Sequence, residues 1–398
     1  MNVTVSQDSI DQVLEPDGIT IPPDVLDTEN LKIDVATQWQ LMWWKFRRHR
    51  LANISAVIVL FYYFVAIFAE FFAPYQSTDY IAEYVYSPPQ PIHFFDDGTF
   101  KPHVKGLTFT RDERSFKKIW SVDDSQVIPI RFFAKGSEYK IGLHWTKIPL
   151  IKELYVTVDR HLIGPVDKDQ PMYLMGADKS GRDIFSRMIH SSRISLSVGL
   201  FGVALSMILG IVLGGLSGLL GGGVDTIIQR LIEIMMSIPM LPIMLAIAAV
   251  VPPNWTALRV YFIITIILAF TSWTGLARVV RGKFLSLREE DFILAARLDG
   301  TGRFRLIFSH MLPSFYSHII ASLTLALPGM ILGETALSFL GVGLRPPVVS
   351  WGVMLQETQK VAVLALYPWL LWPAVAVIIV VLAFNFLGDG LRDAADPY

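Results

Sequence analysis

Residues 194–220 read ISLSVGLFGVALSMILGIVLGGLSGLL, an apolar stretch without a single charged side chain. A helix needs about 20 mainly apolar residues to cross the hydrocarbon core of a bilayer, and this stretch is long enough. Five further apolar blocks meet the same criterion: residues 54–72, 234–251, 260–277, 319–340 and 370–387. The sequence therefore predicts six transmembrane helices. The block 234–251 is the weakest of them, because Pro239 and Pro242 lie inside it.

The composition of the 398-residue chain also indicates a membrane protein. Hydrophobic residues make up 53% of the chain and charged residues only 17%, whereas a soluble domain carries about 25% charged residues. The net charge of −1 gives no reason to expect nucleic acid as a partner. The chain has no cysteine, which excludes disulfides, thiolate metal sites and a cysteine nucleophile.

The distribution of Lys and Arg predicts the orientation of the spans. Basic residues favour the cytosolic side of a membrane, and Lys45, Arg47, Arg48 and Arg50 directly precede the first span. The linker between the fourth and fifth spans is rich in bases, whereas the linker before the fourth contains only Arg259. We therefore expect both termini in the cytosol.

The predicted spans divide the chain into five parts. Residues 1–40 form an acidic cytosolic tail, and residues 41–74 hold the basic segment and the first span. Residues 75–192 lie outside the membrane and alternate charged residues with short aromatic and β-branched stretches, which is typical of a small strand-rich domain. Their last part, 178–193, has helical spacing and predicts an interfacial helix. Residues 193–392 form the helical core, and residues 393–398 a cytosolic C-terminus.

The sequence contains no recognisable catalytic motif. A phosphate-binding loop ends in Gly-Lys-Ser/Thr, but Gly282-Lys283 is followed by Phe284, and no such pair follows the glycines at 214–223. The eight histidines show no zinc-protease pattern, and no serine nucleophile elbow is present. We therefore expect no ATPase site, metal or cofactor in this chain.

Four glycines, Gly210, Gly214, Gly218 and Gly222, recur at every fourth position of the second predicted span. Residues four apart share one face of a helix, and small residues there let a neighbouring helix approach closely. The pattern predicts a close helix contact along this face. The glycines at 221–223 predict a turn at the end of the span.

The linker between the fourth and fifth spans, residues 281–314, reads RGKFLSLREEDFILAARLDGTGRFRLIFSHMLPS. Its first part predicts a short helix that is stopped by Gly300 and Gly302, with an apolar face formed by Phe292, Leu294, Ala295 and Leu298. A second helix is predicted over residues 304–310 and ends near Pro313. Two short amphipathic helices suit docking into a groove of a partner protein. An ordinary interfacial loop is the alternative.

This linker resembles the EAA coupling loop of the permeases of binding-protein-dependent ABC importers. The pattern of that loop is Glu-Ala-Ala, three residues, Gly, nine residues, Ile, one residue, Leu-Pro. Leu294 stands where the pattern has glutamate, and His310 where it has isoleucine. The resemblance implies that the following residues couple the chain to an ATPase: Asp291, Leu294, Ala295, Ala296, Arg297, Gly300, Arg303, Leu312 and Pro313.

Three other stretches are similar to the dipeptide, oligopeptide and nickel permease subfamily. They are GADKSGRDIFSR at 176–187, ETALSFLG at 334–341 and NFLGDGLRD at 385–393. The resemblance covers about residues 41–72 and 174–397. It is closest to the C-type permease, which opens with a basic N-terminal segment. Residues 88–171 are longer than expected for that subunit, so we interpret them as an insertion.

The resemblance implies an all-α polytopic fold of the type I ABC importer permeases, with an enlarged mixed insertion between the first and second spans. It implies half of a translocation pathway for peptides, or for a related solute such as an oligosaccharide or a nickel complex. The implied partners are a second permease in a heterodimer, one or two ATPase subunits that bind ATP and Mg, and an extracytoplasmic solute-binding protein. Membrane lipid surrounds the chain, in the cytoplasmic membrane of a bacterium or archaeon.

Some interpretations stay open at this point. Glu334 lies inside the fifth predicted span, where an ionisable residue is a candidate for a pathway or gating role; a structural hydrogen bond to a neighbouring helix is the alternative.

Two alternative functions of the chain also stay open. The first is a secondary transporter driven by an ion gradient, which would show internal repeats and broken helices; the two prolines at 239 and 242 are the only hint of these. The second is a membrane-anchored binding module, but an anchor needs far fewer than the six spans predicted here.

Overall fold

The computed structural model describes residues 38–96, 98–114, 117–143, 154–167, 170–252 and 254–395. Three helices precede the sheet: α1 (Gln38–Arg48), α2 (Arg50–Ile67) and α3 (Ala69–Phe72). Ten follow it: α4 (Ile184–Leu220), α5 (Gly222–Ser237), α6 (Met240–Ala249), α7 (Ala257–Leu287), α8 (Asp291–Leu298), α9 (Arg303–Arg305), α10 (Tyr316–Phe339), α11 (Trp351–Leu355), α12 (Val361–Leu366) and α13 (Trp372–Ala395). Of the predicted acidic tail, residues 1–37 lie outside the described residues, as do residues 396–398 of the predicted C-terminus.

Among the described residues, five helical segments are long and apolar enough to cross a membrane. They are Arg50–Ile67, Ile184–Leu220, Ala257–Leu287, Arg303–Phe339 and Pro368–Ala395. Each overlaps one predicted span. The remaining predicted span, 234–251, is not one helix, because α5 ends at Ser237 and α6 starts at Met240. Pro239 lacks an N–H group and forces Ile238 into an extended conformation, which breaks the helix. The count of six spanning helices is therefore not confirmed.

The predicted interfacial helix at 178–193 is not a separate element. α4 is one helix of 37 residues that begins at Ile184, with no glycine or proline in its first turns to break it. Its N-cap is Asp183, whose carboxylate accepts hydrogen bonds from the backbone N–H of Ser186 at 2.8 Å and of Phe185 at 3.3 Å. Residues 184–193 are thus the first turns of the spanning helix.

The glycine face of α4 packs directly on α7, as the sequence predicts. A Cβ added at Gly214 would lie 2.4 Å from the backbone oxygen of Ala277, and one at Gly218 would lie 2.8 Å from that of Arg281. Gly210 makes a similar contact with α7, whereas Gly222 faces open space. The predicted turn is also present, because Gly221 has a φ of +64° and separates α4 from α5.

Contacts between helix ends define the two ends of the helix bundle. The end of α4 lies beside the end of α7, and Ala52 of α2 packs with Ala394 of α13. These contacts form one end, which we call the coupling end because it also carries the linker 281–314. At the other end, Arg193 near the start of α4 donates a hydrogen bond of 3.0 Å to the backbone oxygen of Ala66 in α2.

A four-stranded antiparallel sheet occupies this second end, which we call the sheet end. Its strands follow chain order: β1 (His93–Asp96), β2 (Thr99–Arg111), β3 (Lys118–Leu143) and β4 (Leu154–Pro165). Val104 of β2 pairs with Ile128 of β3, and both are fully buried against Met172. His161 of β4 joins the sheet to α3, since its Nδ1 lies 2.8 Å from the backbone oxygen of Glu70. The strand-rich segment predicted between the first two spans is therefore present.

Candidate coupling site

The linker 281–314 begins inside α7, which extends to Leu287, and turns at Arg288–Glu290 into α8. Asp291 lies in the first turn of α8 and Arg297 in its last, so both charges are stabilised by the helix dipole. Gly300 ends the helix with a φ of +74°, a conformation that favours glycine. The predicted first helix of the linker is thus present and ends at the predicted residue.

One side of α8 is built into the helix bundle. Ile293 is fully buried and Ala296 is 8% exposed, and both belong to a core cluster that includes Leu219 of α4 and Phe284 of α7. Burying one isoleucine side chain stabilises such a contact by about 1.5–3 kcal/mol. This packing joins α8 to the ends of two long helices, α4 and α7.

The rest of the surface of α8 is exposed and carries large apolar side chains. Phe292 is 47% exposed, Leu294 42% and Leu298 88%. Leu294 and Leu298 lie four positions apart and share one face, whereas Phe292, two positions before Leu294, points away from that face. All three belong to the apolar face predicted from the sequence. Large apolar side chains clustered on a surface mark an interaction site.

The second helical stretch predicted in the linker, 304–310, is helical in the structure, but it does not end near Pro313. The structure has α9 of three residues, then a π-helix over Leu306–Met311 and a 3₁₀-helix over Leu312–Phe315 that leads into α10. Pro313 explains the change of winding, because proline cannot donate a backbone hydrogen bond within an α-helix. The segment is still anchored, since Leu306 and Met311 are buried in the same core cluster as Ile293.

The structure divides the nine predicted coupling residues into two groups. Ala296 and Leu312 are buried in one cluster, on opposite sides of the turn at Gly300. The others are exposed at the coupling end: Asp291, Leu294, Ala295, Arg297, Gly300, Arg303 and Pro313. The first group fixes the shape of the linker, and the second is available to a partner.

An ion pair at the base of the linker was not predicted. Arg281 donates from Nε and from one terminal nitrogen to the two carboxylate oxygens of Asp225, both at 2.6 Å. The Ser217 hydroxyl donates to the same carboxylate. The pair therefore ties the end of α4 and the start of α5 to the beginning of the linker in α7. The one feature of the sequence that points to this ion pair is that Asp225 is the sole acidic residue between positions 184 and 232.

Replacing Asp225 by asparagine is expected to loosen the base of the linker. A bidentate hydrogen bond between charged groups contributes more than a neutral one, so we expect a loss of about 1–3 kcal/mol in the free energy of unfolding. The measurement is the unfolding temperature of the purified chain in detergent. The matched control is Glu233→Gln on the same helix, whose ion pair with Arg230 is exposed, so it should unfold like the unaltered chain. Equal unfolding temperatures for both variants would contradict the role of Asp225.

Glu334 lies far from the linker, at the sheet end of α10, and is fully buried. The Ser338 hydroxyl donates to its Oε1 at 2.8 Å, and the Ser195 hydroxyl of α4 donates to its Oε2 at 3.2 Å. The Ser195 hydroxyl also accepts the backbone N–H of Trp351 at 3.1 Å. The carboxylate therefore joins α4, α10 and α11 through hydrogen bonds.

The motif GADKSGRDIFSR at 176–187 forms a tight loop, 176–183, and the first turn of α4. Asp178 is 2% exposed and pairs with Arg182 at 2.8 Å and with Arg187. At the end of the loop, burial raises the pKa of Asp183 to about 6, although hydrogen bonds from Ser186 and Phe185 act in the opposite direction. Burial also raises the pKa of Glu357, which pairs with Lys179 at 3.5 Å. The loop is a structural element that holds the sheet end together.

Comparison with known proteins identifies relatives over most of the helical core. Residues 210–398 match the family described as the binding-protein-dependent transport system inner membrane component, and residues 37–89 match the N-terminal TM domain of oligopeptide transport permease C. A dipeptide transport system permease protein of Alkalihalophilus pseudofirmus is 40% identical over 223 residues, which cover 56% of this chain and 71% of the relative.

Two oligopeptide transport system permease proteins are also similar. The one from Bacillus subtilis is 36% identical over 234 residues, which cover 58% of this chain and 73% of the relative. The one from Haemophilus influenzae is 36% identical over 244 residues, which cover 61% of this chain and 76% of the relative.

Proposed function

This chain belongs to the family of binding-protein-dependent ABC importer permeases, and we propose that it forms half of a translocation pathway for peptides. It is a multi-pass membrane subunit, and ATP hydrolysis belongs to a separate subunit of such importers. The observation that carries the proposal is the two-sided helix α8. Ile293 and Ala296 are packed into the spanning helices, and the exposed surface presents Leu294 and Leu298 on one face and Phe292 beside it to a partner.

The proposed partners follow from the two ends of the bundle. One or two ATPase subunits, which bind ATP and Mg, dock on the exposed face of α8 at the coupling end. A second permease completes the pathway, and a solute-binding protein delivers the peptide at the sheet end. The coupling end faces the cytosol in this proposal, since Lys45, Arg47 and Arg48 and the basic linker all lie there.

We propose that α5 and α6 together make a sixth, broken crossing. Both α4 and α7 end at the coupling end, so α7 must begin at the sheet end. In agreement, Tyr261 near the start of α7 donates a hydrogen bond of 3.0 Å to Ser197 near the start of α4. The chain between α4 and α7 therefore has to pass from one end to the other, and α5 and α6 are the helices available for this. A sixth crossing also brings the end of α13 back to the coupling end.

The mechanism rests on rigid packing at the linker. When ATP closes the ATPase subunits, a docked α8 moves with them and transmits the motion to α4 and α7 through Ile293 and Ala296. The Asp225–Arg281 pair carries the same motion to α5. The contacts of Glu334 support the structural alternative for that residue, since its carboxylate accepts hydrogen bonds from Ser195 and Ser338.

Uptake driven by ATP tests the proposed function. The chain is purified with its co-expressed partner subunits, reconstituted into proteoliposomes and supplied with the binding protein and a mixture of labelled peptides. We expect uptake that requires ATP and is unchanged by an ionophore that collapses ion gradients. Uptake that requires an ion gradient and does not depend on ATP would instead support the secondary-transporter alternative.

We propose that the sheet contributes to docking of the solute-binding protein. It lies at the end opposite the ATPase site, and its β1–β2 hairpin exposes large aromatic side chains: Phe94 at 54%, Phe95 at 67% and Phe100 at 65%. Aromatic residues of this kind are enriched in protein interfaces. The sheet is also the segment that we interpret as an insertion.

Removal of residues 91–170 is expected to weaken association with the binding protein. A short Gly/Ser linker can close the gap, because the backbone N–H of Gln90 lies 2.9 Å from the backbone oxygen of Tyr173. Association is measured on immobilised complex in nanodiscs, and recovery of the ATPase subunits serves as the control for assembly. The variant Phe94→Ser/Phe95→Ser/Phe100→Ser keeps the sheet and should show the same direction of change. Unchanged association of the binding protein with both variants would contradict this proposal.

A further inference from the structure

Helix α1 is fixed to the coupling end by only part of its surface. Phe46 is 7% exposed and packs in a cluster with Ala52 of α2 and Ala394 of α13. His49, in an extended conformation between α1 and α2, interrupts the helix, and its Nδ1 accepts the backbone N–H of Ala52 at 3.1 Å. These contacts hold α1 in place beside the ends of two spanning helices.

The remaining surface of α1 is aromatic and exposed. Trp39 is 51% exposed, Trp43 55% and Trp44 41%, within a helix of 11 residues. An indole ring has a large apolar area and one N–H donor, and it is most stable at the boundary between hydrocarbon and water. Three exposed indoles on one short helix therefore indicate a surface that is covered in the native membrane.

The same segment carries concentrated positive charge. Lys45, Arg47 and Arg48 lie in the last turn of α1, and Arg50 opens α2; all four are exposed. The sequence from 38 to 69 contains no acidic residue. Such a surface is complementary to anionic headgroups.

This surface continues directly from the exposed apolar side of α2. Exposed apolar side chains follow α2 along its length: Leu51, Ile54, Val57, Leu60, Phe61, Phe64 and Ile67. At the coupling end this apolar strip gives way to the arginines and then to the tryptophans. That order, hydrocarbon-facing side chains followed by bases and indoles, is the order of the bilayer from its core to its headgroups.

We propose that α1 is a docking helix for anionic phospholipid, which inserts Trp39, Trp43 and Trp44 among the headgroups at the coupling end and binds their phosphates with the bases of residues 45–50. An ATPase subunit or the second permease would be the other possible occupant of this surface. The lipid is favoured by the continuity with α2 and by the three exposed arginines, Arg47, Arg48 and Arg50.

A spin label tests the proposal without disturbing the tryptophans. The chain has no cysteine, so Gln40→Cys places a single nitroxide one turn from Trp43 and Trp44. The full-length chain, alone and with its partner subunits, is placed in nanodiscs of phosphatidylcholine with or without phosphatidylglycerol. We expect phosphatidylglycerol to reduce the collision rate of the label with a water-soluble nickel complex several-fold, with or without the partners.

Two charge variants decide the interpretation. Changing Lys45, Arg47 and Arg48 to glutamine should abolish the effect of phosphatidylglycerol on the label. The matched control changes three exposed bases of the sheet, Lys101, Arg114 and Lys117, to glutamine and should preserve that effect. The proposal is overturned if the label responds equally in both lipids. It is also overturned if the label is protected only when the ATPase or the second permease is present.

Discussion

Replacing Leu298 by aspartate is expected to separate this chain from its ATPase subunits while leaving it folded in the membrane. Leu298 is 88% exposed, so the substitution removes almost no contact within the chain. At a docked interface, however, the carboxylate would lose its water in an apolar environment, which costs several kcal/mol. Since each 1.4 kcal/mol is a factor of ten in affinity, we expect association with the ATPase to weaken by about 100-fold or more.

The measurement is recovery of ATPase subunits with the tagged chain, followed by ATP-dependent uptake. Val156→Asp is the matched control, because Val156 is 66% exposed and lies in the sheet, at the opposite end of the molecule. The control should retain the ATPase and its uptake. If both variants recover the ATPase equally, α8 is not the docking helix.

Replacing Gly214 by alanine is expected to have the second large effect, on the fold itself. The added Cβ would lie 2.4 Å from the backbone oxygen of Ala277. A backbone atom of another helix cannot rotate away as a side chain can, so α4 and α7 must separate. Overpacking typically costs about 1–3 kcal/mol, and we expect the upper end of that range. The effect appears as a lower unfolding temperature and less monodisperse protein in detergent.

The control for this prediction is Gly275→Ala. Gly275 lies in α7, and a Cβ there would meet no atom within 4 Å. Its substitution also gains helix propensity, so it should not lower the unfolding temperature. If the two alanine variants unfold at the same temperature, the contact at Gly214 is not as close as the structure indicates.

The features predicted correctly from the sequence depend on local patterns. Apolar length alone located the five long helices, and the four-residue glycine period identified the face of α4 that packs on α7. Gly300 was assigned as the end of α8 because a left-handed position after a helix favours glycine. Each of these signals lies within one helix and needs no knowledge of the rest of the fold.

The features that were missed depend on contacts between distant residues. The Asp225–Arg281 pair joins positions 56 residues apart. Similarly, both sides of α8 are apolar, so the sequence cannot decide that Ile293 is buried and Leu294 is exposed. Ile293 is buried because it packs in one cluster with Leu219 and Phe284, which belong to other helices.

The wrong expectations concern where helices begin and end. Amphipathic spacing at 178–193 looks the same in a separate interfacial helix as in the first turns of a long one, and the structure has the latter. The stretch 304–310 is predicted to end near Pro313, whereas this proline, which cannot donate a backbone hydrogen bond, only changes the winding to π and 3₁₀ before α10. At Pro239 the same property of proline divides a predicted span into α5 and α6.

The central claim is that this chain is one subunit of a larger ATP-driven importer, and a pull-down tests it most directly. The tagged chain is purified in mild detergent from its native host, and the proteins that accompany it are identified by mass spectrometry. The account predicts a second permease and one or two ATPase subunits. Recovery of the chain alone, or only with copies of itself, under conditions that keep a known importer intact would contradict it.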